Sequence, residues 1–252
     1  MKPHERQPQI EAIIRREGEV SVEMLAERFD VSSETIRRDL GSLAELGRVQ
    51  KVHGGARRAR LIHEPSHDQR ETTARDAKAA IGRRLAEAVE PGETLFIDTG
   101  STTLAAAETL AAIPDLTIIT NSCRLAERIA RVSADATIHL LGGRYGADNA
   151  QPTGIAAIGQ LQAARADRAI LTVAALDVDQ GAMDASLDEA QIARAMIRNA
   201  RMVTVLADPG KFGRHAAYAV CATEDIDLII SDGQLEKAHK AALRDKGVEL
   251  WT

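Results

Sequence analysis

The chain has 252 residues, of which 44% are hydrophobic, and its formal net charge is −5. A chain of this length can bury a substantial core, and we expect one large domain and one small one. No apolar run of eighteen residues occurs and the N-terminal segment is polar, so we expect a cytoplasmic protein without a membrane span or signal peptide. Cys123 and Cys221 lack metal-site spacing, so we predict no metal and no cofactor.

Positive charge is concentrated near the N terminus. Residues 1–60 carry 12 Lys and Arg against 10 Asp and Glu, whereas residues 61–252 carry 20 against 27. Segment 48–60 holds five basic residues and no acidic one. Alone, such a segment is most simply a solvated linker, but a basic patch on an acidic protein is also typical of a DNA-binding region.

Three short helices are predicted in the first fifty residues. The first should end at Gly18, the second should begin after the N-cap Ser21, and the third should follow a tight turn at 30–32 and end at Gly47. The expected buried residues are Ile10, Ile13 and Ile14, then Met24, Leu25 and Phe29, then Ile36, Leu40, Leu43 and Leu46. This arrangement is typical of a helix-turn-helix.

The third helix is predicted to present its polar face to DNA. If Ile36 and Leu40 face the core, the hydroxyl and arginine side chains at the helix start must face outward. Hydroxyls suit phosphates, and an arginine can bind a guanine edge through two hydrogen bonds. An ion pair between Arg38 and Asp39 is the alternative for that arginine. The candidate DNA-binding residues here are Ser32, Ser33, Thr35, Arg37 and Arg38.

The stretch R-V-Q-K-V-H-G-G-A, residues 48–56, predicts a short β-hairpin. Gly54 and Gly55 permit its turn, and the hairpin would form a wing that presents Arg48, Lys51 and His53 to the DNA backbone or minor groove. His53 can equally be a hydrogen-bonded turn residue.

The motif S-S-E-T-I-R-R-D-L followed by L-x-x-x-G-x-V-x-K-V-H-G-G-A resembles the DeoR family of bacterial winged-helix repressors. The resemblance implies that the first motif is the recognition helix and the second contains the wing. We therefore expect a winged helix-turn-helix DNA-binding domain at 1–57, a charged linker at 58–73, and an effector-binding and oligomerisation domain at 74–252.

Helical and strand patterns alternate from Thr73 onward. The predicted helices lie near 74–89, 103–112, 122–131, 186–200 and 234–246. Six apolar, β-branched runs separate them, and continuous runs of this kind predict strands that are covered on both faces. The large domain is therefore predicted to be a doubly wound α/β domain with a largely parallel sheet.

In such a sheet, ligands bind beyond the carboxyl ends of the strands. Four predicted strands end in residues suited to ligand binding. A hydroxyl-rich helix start by itself is most often only a cap, but four such strand ends at one edge of the sheet favour a ligand-binding site. The candidate effector-binding residues are Asp98, Thr99, Gly100, Ser101, Thr102, Thr103, Thr120, Asn121, Gly142, Gly143, Asp208 and Lys211.

The charges of these candidates indicate a ligand class. Lys211 and a helix N terminus attract an anion, whereas Asp98 and Asp208 accept hydrogen bonds from hydroxyls. A phosphorylated sugar or polyol carries both an anionic phosphate and hydroxyl groups. The alternative for Lys211 is an ion pair with Asp208 that stiffens the loop. The resemblance implies the same ligand class, since residues 78–251 are similar to the family's effector domain, which is related in fold to ribose-5-phosphate isomerase.

The chain departs from the family pattern at two places. V-A-A-L-D-V-D-Q-G, residues 173–181, replaces a glycine-rich turn, and D-P-G-K replaces D-x-S-K at 208–211. Asp177 and Glu189 are two further candidates for effector contact, although Glu189 can equally complement a helix dipole.

The sequence thus predicts a DNA-binding transcriptional regulator, a repressor of a carbohydrate or polyol catabolic operon. Its predicted partners are double-stranded operator DNA, a phosphorylated sugar or polyol effector, and further copies of itself in a homo-oligomer, a dimer or tetramer. The alternatives are a sugar-phosphate isomerase-like enzyme and a ligand-independent DNA-binding protein. A fused DNA-binding domain gives an isomerase no evident benefit, and 2% aromatic residues are too few for an RNA-binding module that stacks bases.

Overall fold

The computed structural model describes residues 1–45, 48–58, 60–61 and 64–252, and the chain divides into two compact units. The first unit comprises Met1–Leu61 and Gly213–His215, and the second comprises the remainder. Across the part that is described, no helix is long and apolar enough to cross a membrane.

The first unit combines helices with a three-stranded antiparallel sheet. Its elements are α1 (Pro3–Glu17), β1 (Glu19–Ser21), α2 (Val22–Phe29), α3 (Ser33–Glu45), β2 (Val49–Val52), β3 (Gly55–Arg58) and β4 (Arg60–Leu61). Strand β3 lies between β1 and β2. The predicted helix-turn-helix and hairpin are confirmed, and β1, which the sequence pattern did not predict, joins the hairpin as a third strand.

Local signals in the sequence explain these boundaries. Gly18 follows α1 with a φ of 81°, a conformation that favours glycine. The Ser21 hydroxyl accepts a hydrogen bond from the Met24 amide at 3.1 Å and caps α2. Of the residues predicted to be buried, Ile10, Ile13, Ile14, Leu25, Ile36, Leu40 and Leu43 lie in one core cluster with Met24 and Phe29 packed against it. The predicted helix end at Leu46 and Gly47 lies outside the described residues.

The second unit is built around a seven-stranded parallel sheet. The elements after residue 64 are α4 (His67–Thr72), α5 (Arg75–Ala88), β5 (Thr94–Ile97), α6 (Ser101–Ala105), α7 (Ala107–Ala111), β6 (Thr117–Thr120), α8 (Cys123–Val132), β7 (Thr137–Leu140), β8 (Arg144–Gly146), β9 (Gln151–Thr153), α9 (Ile155–Gln162), β10 (Ala166–Thr172), β11 (Ala175–Asp177), β12 (Gly181–Asp184), α10 (Leu187–Arg198), β13 (Ala200–Leu206), β14 (His215–Ala216), β15 (Tyr218–Cys221), β16 (Leu228–Ile230), α11 (Lys237–Asp245) and β17 (Glu249–Trp251).

The order of the strands is β17-β16-β13-β10-β5-β6-β7. The chain winds outward from β5 in one direction and from β10 in the other, so the sheet is doubly wound and its order reverses between these two strands. Alternate residues of β5 enter different cores, with Phe96 in one cluster and Leu95 and Ile97 in the other. Both faces of the sheet are therefore covered, as the continuous apolar runs predicted.

The structure differs from the sequence-based prediction in its short elements. The helix predicted at 103–112 is two helices, α6 and α7, and the predictions omitted α9, β17 and the antiparallel β11-β12-β15 sheet. Segment 58–73, predicted as a linker, contains strand β4 and helix α4. Helix α4 has no apolar period, and it is held by contacts with residues that follow much later, including Arg124 with Asp68 and Arg70 with Asn149.

Candidate functional site

The outward face of α3 is polar and carries two exposed arginines. Arg37 and Arg38 are exposed, while Ile36 and Leu40 are buried beneath them. The Ser32 hydroxyl accepts a hydrogen bond from the Thr35 amide at 3.2 Å and therefore also caps the helix start. Ser33 and Thr35 are partly buried at the same end.

Asp39 forms a buried ion pair with α1. Its carboxylate accepts hydrogen bonds from Arg6 Nε at 2.6 Å and from Gln7 Nε2 at 3.1 Å, and both ion-pair side chains are 4% exposed. Because this carboxylate pairs with Arg6, it links α3 to α1. The intrahelical Arg38–Asp39 pair considered from the sequence is therefore not how Asp39 is used.

The wing hairpin depends on its two glycines. Gly54 has a φ of 76°, and a Cβ at Gly55 would lie 2.0 Å from the Val20 carbonyl oxygen in β1. A side chain at Gly55 would therefore prevent β1 and β3 from pairing. The turn leaves Lys51 and His53 exposed, and Arg48 pairs with Glu11 at 3.2 Å.

In the second unit, the loop after β5 lies against the end of β10. Asp98 Oδ2 accepts a hydrogen bond from the Thr172 amide at 2.8 Å. A Cβ at Gly100 would lie 2.1 Å from Thr172 Oγ1, so only glycine permits this close approach. The Thr103 and Thr120 hydroxyls donate to backbone carbonyls of Gly100 and Ile97, at 3.0 and 2.6 Å, and thus stabilise the loop from within.

A chain of amide hydrogen bonds connects two of the predicted site residues. Asn121 Nδ2 donates to Gln151 Oε1 at 3.0 Å, and Gln151 Nε2 donates to Glu189 Oε1 at 2.9 Å. Asn149 Nδ2 donates to the same Glu189 oxygen at 2.9 Å. Two buried oxygens, Asn121 Oδ1 and Thr99 Oγ1, have no hydrogen-bond partner among the residues that the structure describes.

Next to this chain lies a group of basic side chains that surrounds one carboxylate. Lys211 Nζ lies 2.7 Å from Glu64 Oε1, and Arg70 Nη1 lies 2.9 Å from Glu64 Oε2. Asp208, proposed from the sequence as the alternative partner of Lys211, accepts a hydrogen bond from the Gly210 amide at 2.9 Å and caps the turn. Lys78 Nζ donates to the carbonyls of Thr73, at 2.8 Å, and of Arg70, at the end of α4.

Three buried carboxyl groups at this edge hold protons more tightly than usual. Burial raises the pKa of Asp98 well above its ordinary range, and Asp184 and Glu189 add to the shift. Burial also raises the pKa of Asp184 to about 6 and, with the nearby Asp184 charge, that of Glu189 to about 7. Near neutral pH this edge therefore has carboxyl groups that can donate as well as accept hydrogen bonds.

Three predicted site residues have contacts elsewhere. The Gly142 amide donates to Gln160 Oε1 on α9 at 3.1 Å, and Gly143, at a φ of 153°, packs on the Thr153 backbone. Asp177 Oδ1 accepts from the amides of residues 179 and 180, both at 3.1 Å, and closes the β11–β12 turn. These contacts are with the local backbone and with α9, and a part of these three residues in effector binding stays a prediction.

The sequence interpretation missed several residues that meet at this edge. They are Glu64, Arg70, Lys78, Asn149, Gln151 and Asp184. Glu64 and Arg70 lie in the segment predicted as a linker. Gln151 and Asp184 lie in short strands without a strong pattern, and Asn149 lies between two of them. Only the closeness of Asp184 to the predicted Glu189 along the chain offered a signal.

The chain matches two family models that together cover most of its length. Residues 6–60 match the DeoR-like helix-turn-helix domain and residues 73–233 match the DeoR C terminal sensor domain. The glycerol-3-phosphate regulon repressor of Escherichia coli is 34% identical over 251 residues, which are 99% of each chain. The transcriptional repressor AccR of Agrobacterium fabrum is 33% identical, with 90% of this chain and 89% of that one covered.

Among solved structures, ribose 5-phosphate isomerase A of Methanocaldococcus jannaschii is similar to 56% of this chain and 55% of its own, with 14% identity and a TM-score of 0.41. The residues that the two family models match correspond to the helix-turn-helix unit and to most of the second unit. The chain therefore belongs to the DeoR family and is a DNA-binding transcriptional regulator rather than an enzyme.

Proposed function

We propose that this regulator represses a carbohydrate or polyol catabolic operon and that a phosphorylated polyol or sugar, bound at the strand ends of the second unit, controls it. The observation that carries the proposal is the juxtaposition of basic and carboxyl groups at one edge of the sheet. Lys211 and Arg70 supply positive charge for a phosphate, and Asp98, Asp184 and Glu189 supply hydrogen bonds for hydroxyls. The name of the Escherichia coli relative makes glycerol 3-phosphate the first compound to test.

Two unpartnered buried oxygens support the same assignment. Thr99 Oγ1 and Asn121 Oδ1 lack a hydrogen-bond partner among the described residues, and a buried polar atom without a partner is costly unless a ligand or water satisfies it. A polyol hydroxyl can donate to either oxygen. In this proposal Lys211 binds the phosphate with help from the hydroxyls of Ser101 and Thr102, and the acidic groups bind the polyol.

The DNA-binding surface in this proposal is the exposed end of α3 together with the wing. Arg37 and Arg38 would contact base edges or phosphates in the major groove, and Lys51 and His53 would contact the backbone. Further copies of the chain, joined through the second unit, would set the spacing of two winged helices on an operator. The effector would act through different affinities for the DNA-competent and DNA-incompetent states.

The test is calorimetry with sn-glycerol 3-phosphate on the wild type and on Lys211→Ala. Loss of a charge-assisted hydrogen bond costs about 1.5–3 kcal/mol, so binding should weaken by roughly 10- to 150-fold. Lys246→Ala is the matched control because Lys246 forms an exposed pair with Glu224 at 2.7 Å. Glycerol, which lacks the phosphate, should bind all three proteins equally weakly.

The opposite result would be an unchanged affinity together with a lower melting temperature in Lys211→Ala. It would mean that Lys211 only stabilises the loop, and the phosphate assignment would be wrong.

A further inference from the structure

The carboxylate of Glu64 lies where an anionic ligand group is expected. Glu64 directly precedes Pro65 in the segment that leads from the first unit to α4. One of its oxygens contacts Lys211 Nζ at 2.7 Å and the other contacts Arg70 Nη1 at 2.9 Å. All three side chains are less than one-fifth exposed. A carboxylate held by two basic side chains in this way has the same bonding pattern as one edge of a phosphate.

We propose that Glu64 is an internal occupant of the effector's phosphate site, bound by Lys211 and Arg70, and that the effector's phosphate displaces it. This inference rests on the proposed function and deepens it. It makes effector binding and the contact of Glu64 with Lys211 and Arg70 mutually exclusive.

The charges favour a phosphate over the carboxylate. Glu64 supplies one negative charge to two directly bonded cations, and a phosphate monoester supplies nearly two near neutral pH. Burial alone would raise the pKa of Glu64, but Lys211, Arg70 and Lys78 hold it below its ordinary value. The site therefore stabilises negative charge strongly enough to overcome burial. The raised pKa values of Asp184 and Glu189 leave these two neighbours less charged near neutral pH than ordinary carboxyl groups.

The Glu64 side chain forms part of the wall of a small cavity. This cavity, lined by Glu64, Arg70, Asn149, Asp184 and Glu189, is about 160 Å³. Withdrawal of the Glu64 side chain would enlarge it and free the two basic side chains for a phosphorylated ligand. Glu64 retains 14% exposure and has a path to solvent.

The segment around Glu64 is arranged to keep it near the site. Pro65 restricts the Glu64 backbone to extended conformations, and Arg70 Nε donates to the Pro65 carbonyl at 3.0 Å. Ser66 caps α4 through the Gln69 amide at 3.3 Å. An internal ligand held in this way acts at a high effective concentration. It therefore raises the effector concentration that is needed to displace it.

The experiment compares Glu64→Gln with the wild type, using inorganic phosphate and sn-glycerol 3-phosphate as separate probes in calorimetry. Glutamine keeps the size of the side chain and removes the competing charge, so both probes should bind about tenfold more tightly or better. Glu71→Gln is the matched control, since Glu71 lies in α4 and pairs with Arg128 at 3.6 Å, outside this group. Its affinities should equal those of the wild type. Glu64→Asp, which keeps the charge, should not reproduce the gain.

A double-mutant cycle with Lys211→Ala tests whether the competition runs through this cation. The gain from Glu64→Gln should shrink in the Lys211→Ala background, because both changes act on one bound group. If Lys211→Ala weakens glycerol 3-phosphate binding and Glu64→Gln leaves it unchanged, the internal competition is wrong and the effector site stands. A different result would be that Glu64→Gln binds inorganic phosphate more tightly and that every variant has equal affinity for glycerol 3-phosphate and inorganic phosphate. In that case the anion site stands and the polyol assignment is wrong. No gain with either probe overturns this inference.

Discussion

At the scale of single residues, the buried carboxyl groups at the strand ends are the least expected feature of this regulator. Asp98 is 8% exposed and accepts hydrogen bonds from Thr172, yet its pKa is raised because burial outweighs those bonds. Asp184 and Glu189 lie near enough to raise it further. Ionising all three carboxyl groups in one buried region costs free energy. The folded state therefore retains protons that the unfolded chain would release at the same pH.

Glu189→Gln should therefore change how the stability of the second unit depends on pH. The folded-state pKa of Glu189 is about 7 against an ordinary 4.5, so the folded state holds a proton that the unfolded state releases, and stability falls as the pH rises from 4.5 to about 7. Glutamine removes this loss and keeps the Oε1 acceptor used by Asn149 and Gln151. Relative to wild type, we expect the variant to gain about 1–3 kcal/mol of unfolding free energy between pH 5 and pH 8.

Urea titrations followed by the fluorescence of Trp251, the chain's single tryptophan, would measure this difference in the second unit. Glu87→Gln is the control because Glu87 is exposed and pairs with Arg84 at 2.7 Å. Equal pH dependence in the wild type and Glu189→Gln would mean that Glu189 is charged in the folded protein.

At the scale of elements, α3 separates its two roles by face. Its buried face carries Ile36, Leu40 and Leu43, and Asp39 fixes it to α1 through Arg6. Its exposed face carries Arg37 and Arg38, which contribute little to the core. A helix of this kind can lose its outward side chains and keep its place in the fold.

The double change Arg37→Ala, Arg38→Ala should abolish specific DNA binding and leave the melting temperature nearly unchanged. The probe is an operator duplex selected from random sequence by the wild type, and the readouts are a mobility shift and a thermal melt. Arg83→Ala, Arg84→Ala is the matched control, since it removes an adjacent, exposed arginine pair from α5. Retained binding in the first variant, or an equal loss in the control, would contradict the assignment of α3 as the recognition helix.

At the scale of the whole molecule, the boundary between the two parts is decided by contacts of the intervening segment. The sequence predicted a linker at 58–73 and an independent domain from about residue 74. In the structure, α4 is bound to the second unit by the ion pair of Asp68 with Arg124 at 3.1 Å. Lys78, 4% exposed, donates hydrogen bonds to the carbonyls of Arg70 and Thr73.

We therefore expect a fragment of residues 64–252 to be more stable than one of residues 74–252. The shorter fragment lacks both carbonyls that Lys78 binds and leaves a largely buried ammonium unsatisfied, at a cost of about 1–3 kcal/mol. Thermal melts of the two fragments would measure the difference, and Lys78→Met in the shorter one should recover part of it. Equal melting temperatures would show that α4 contributes nothing to the second unit.

The class of fold and much of the DNA-binding unit follow from local patterns in the sequence. Helix periodicity, the Ser21 cap, Gly18 and the glycine pair at 54–55 are local signals, and each acts on residues within one turn or one hairpin of itself. The same holds for the parallel strands, whose continuous apolar runs record burial on both faces. Such short-range rules correctly predicted the helix-turn-helix, the hairpin and six of the seven strands of the parallel sheet.

The contacts between polar groups, by contrast, depend on the folded arrangement of the whole chain. Glu64 and Lys211 are separated by 147 positions, and Asn149 and Glu189 by 40. No periodic pattern encodes such pairs, because each depends on how the strands are ordered and on where α4 is held. For the same reason the sequence offered Asp208 as the partner of Lys211, the nearest acid along the chain, whereas folding brings Glu64 to it. The raised pKa values likewise arise from burial by elements distant in sequence, which only the folded chain creates.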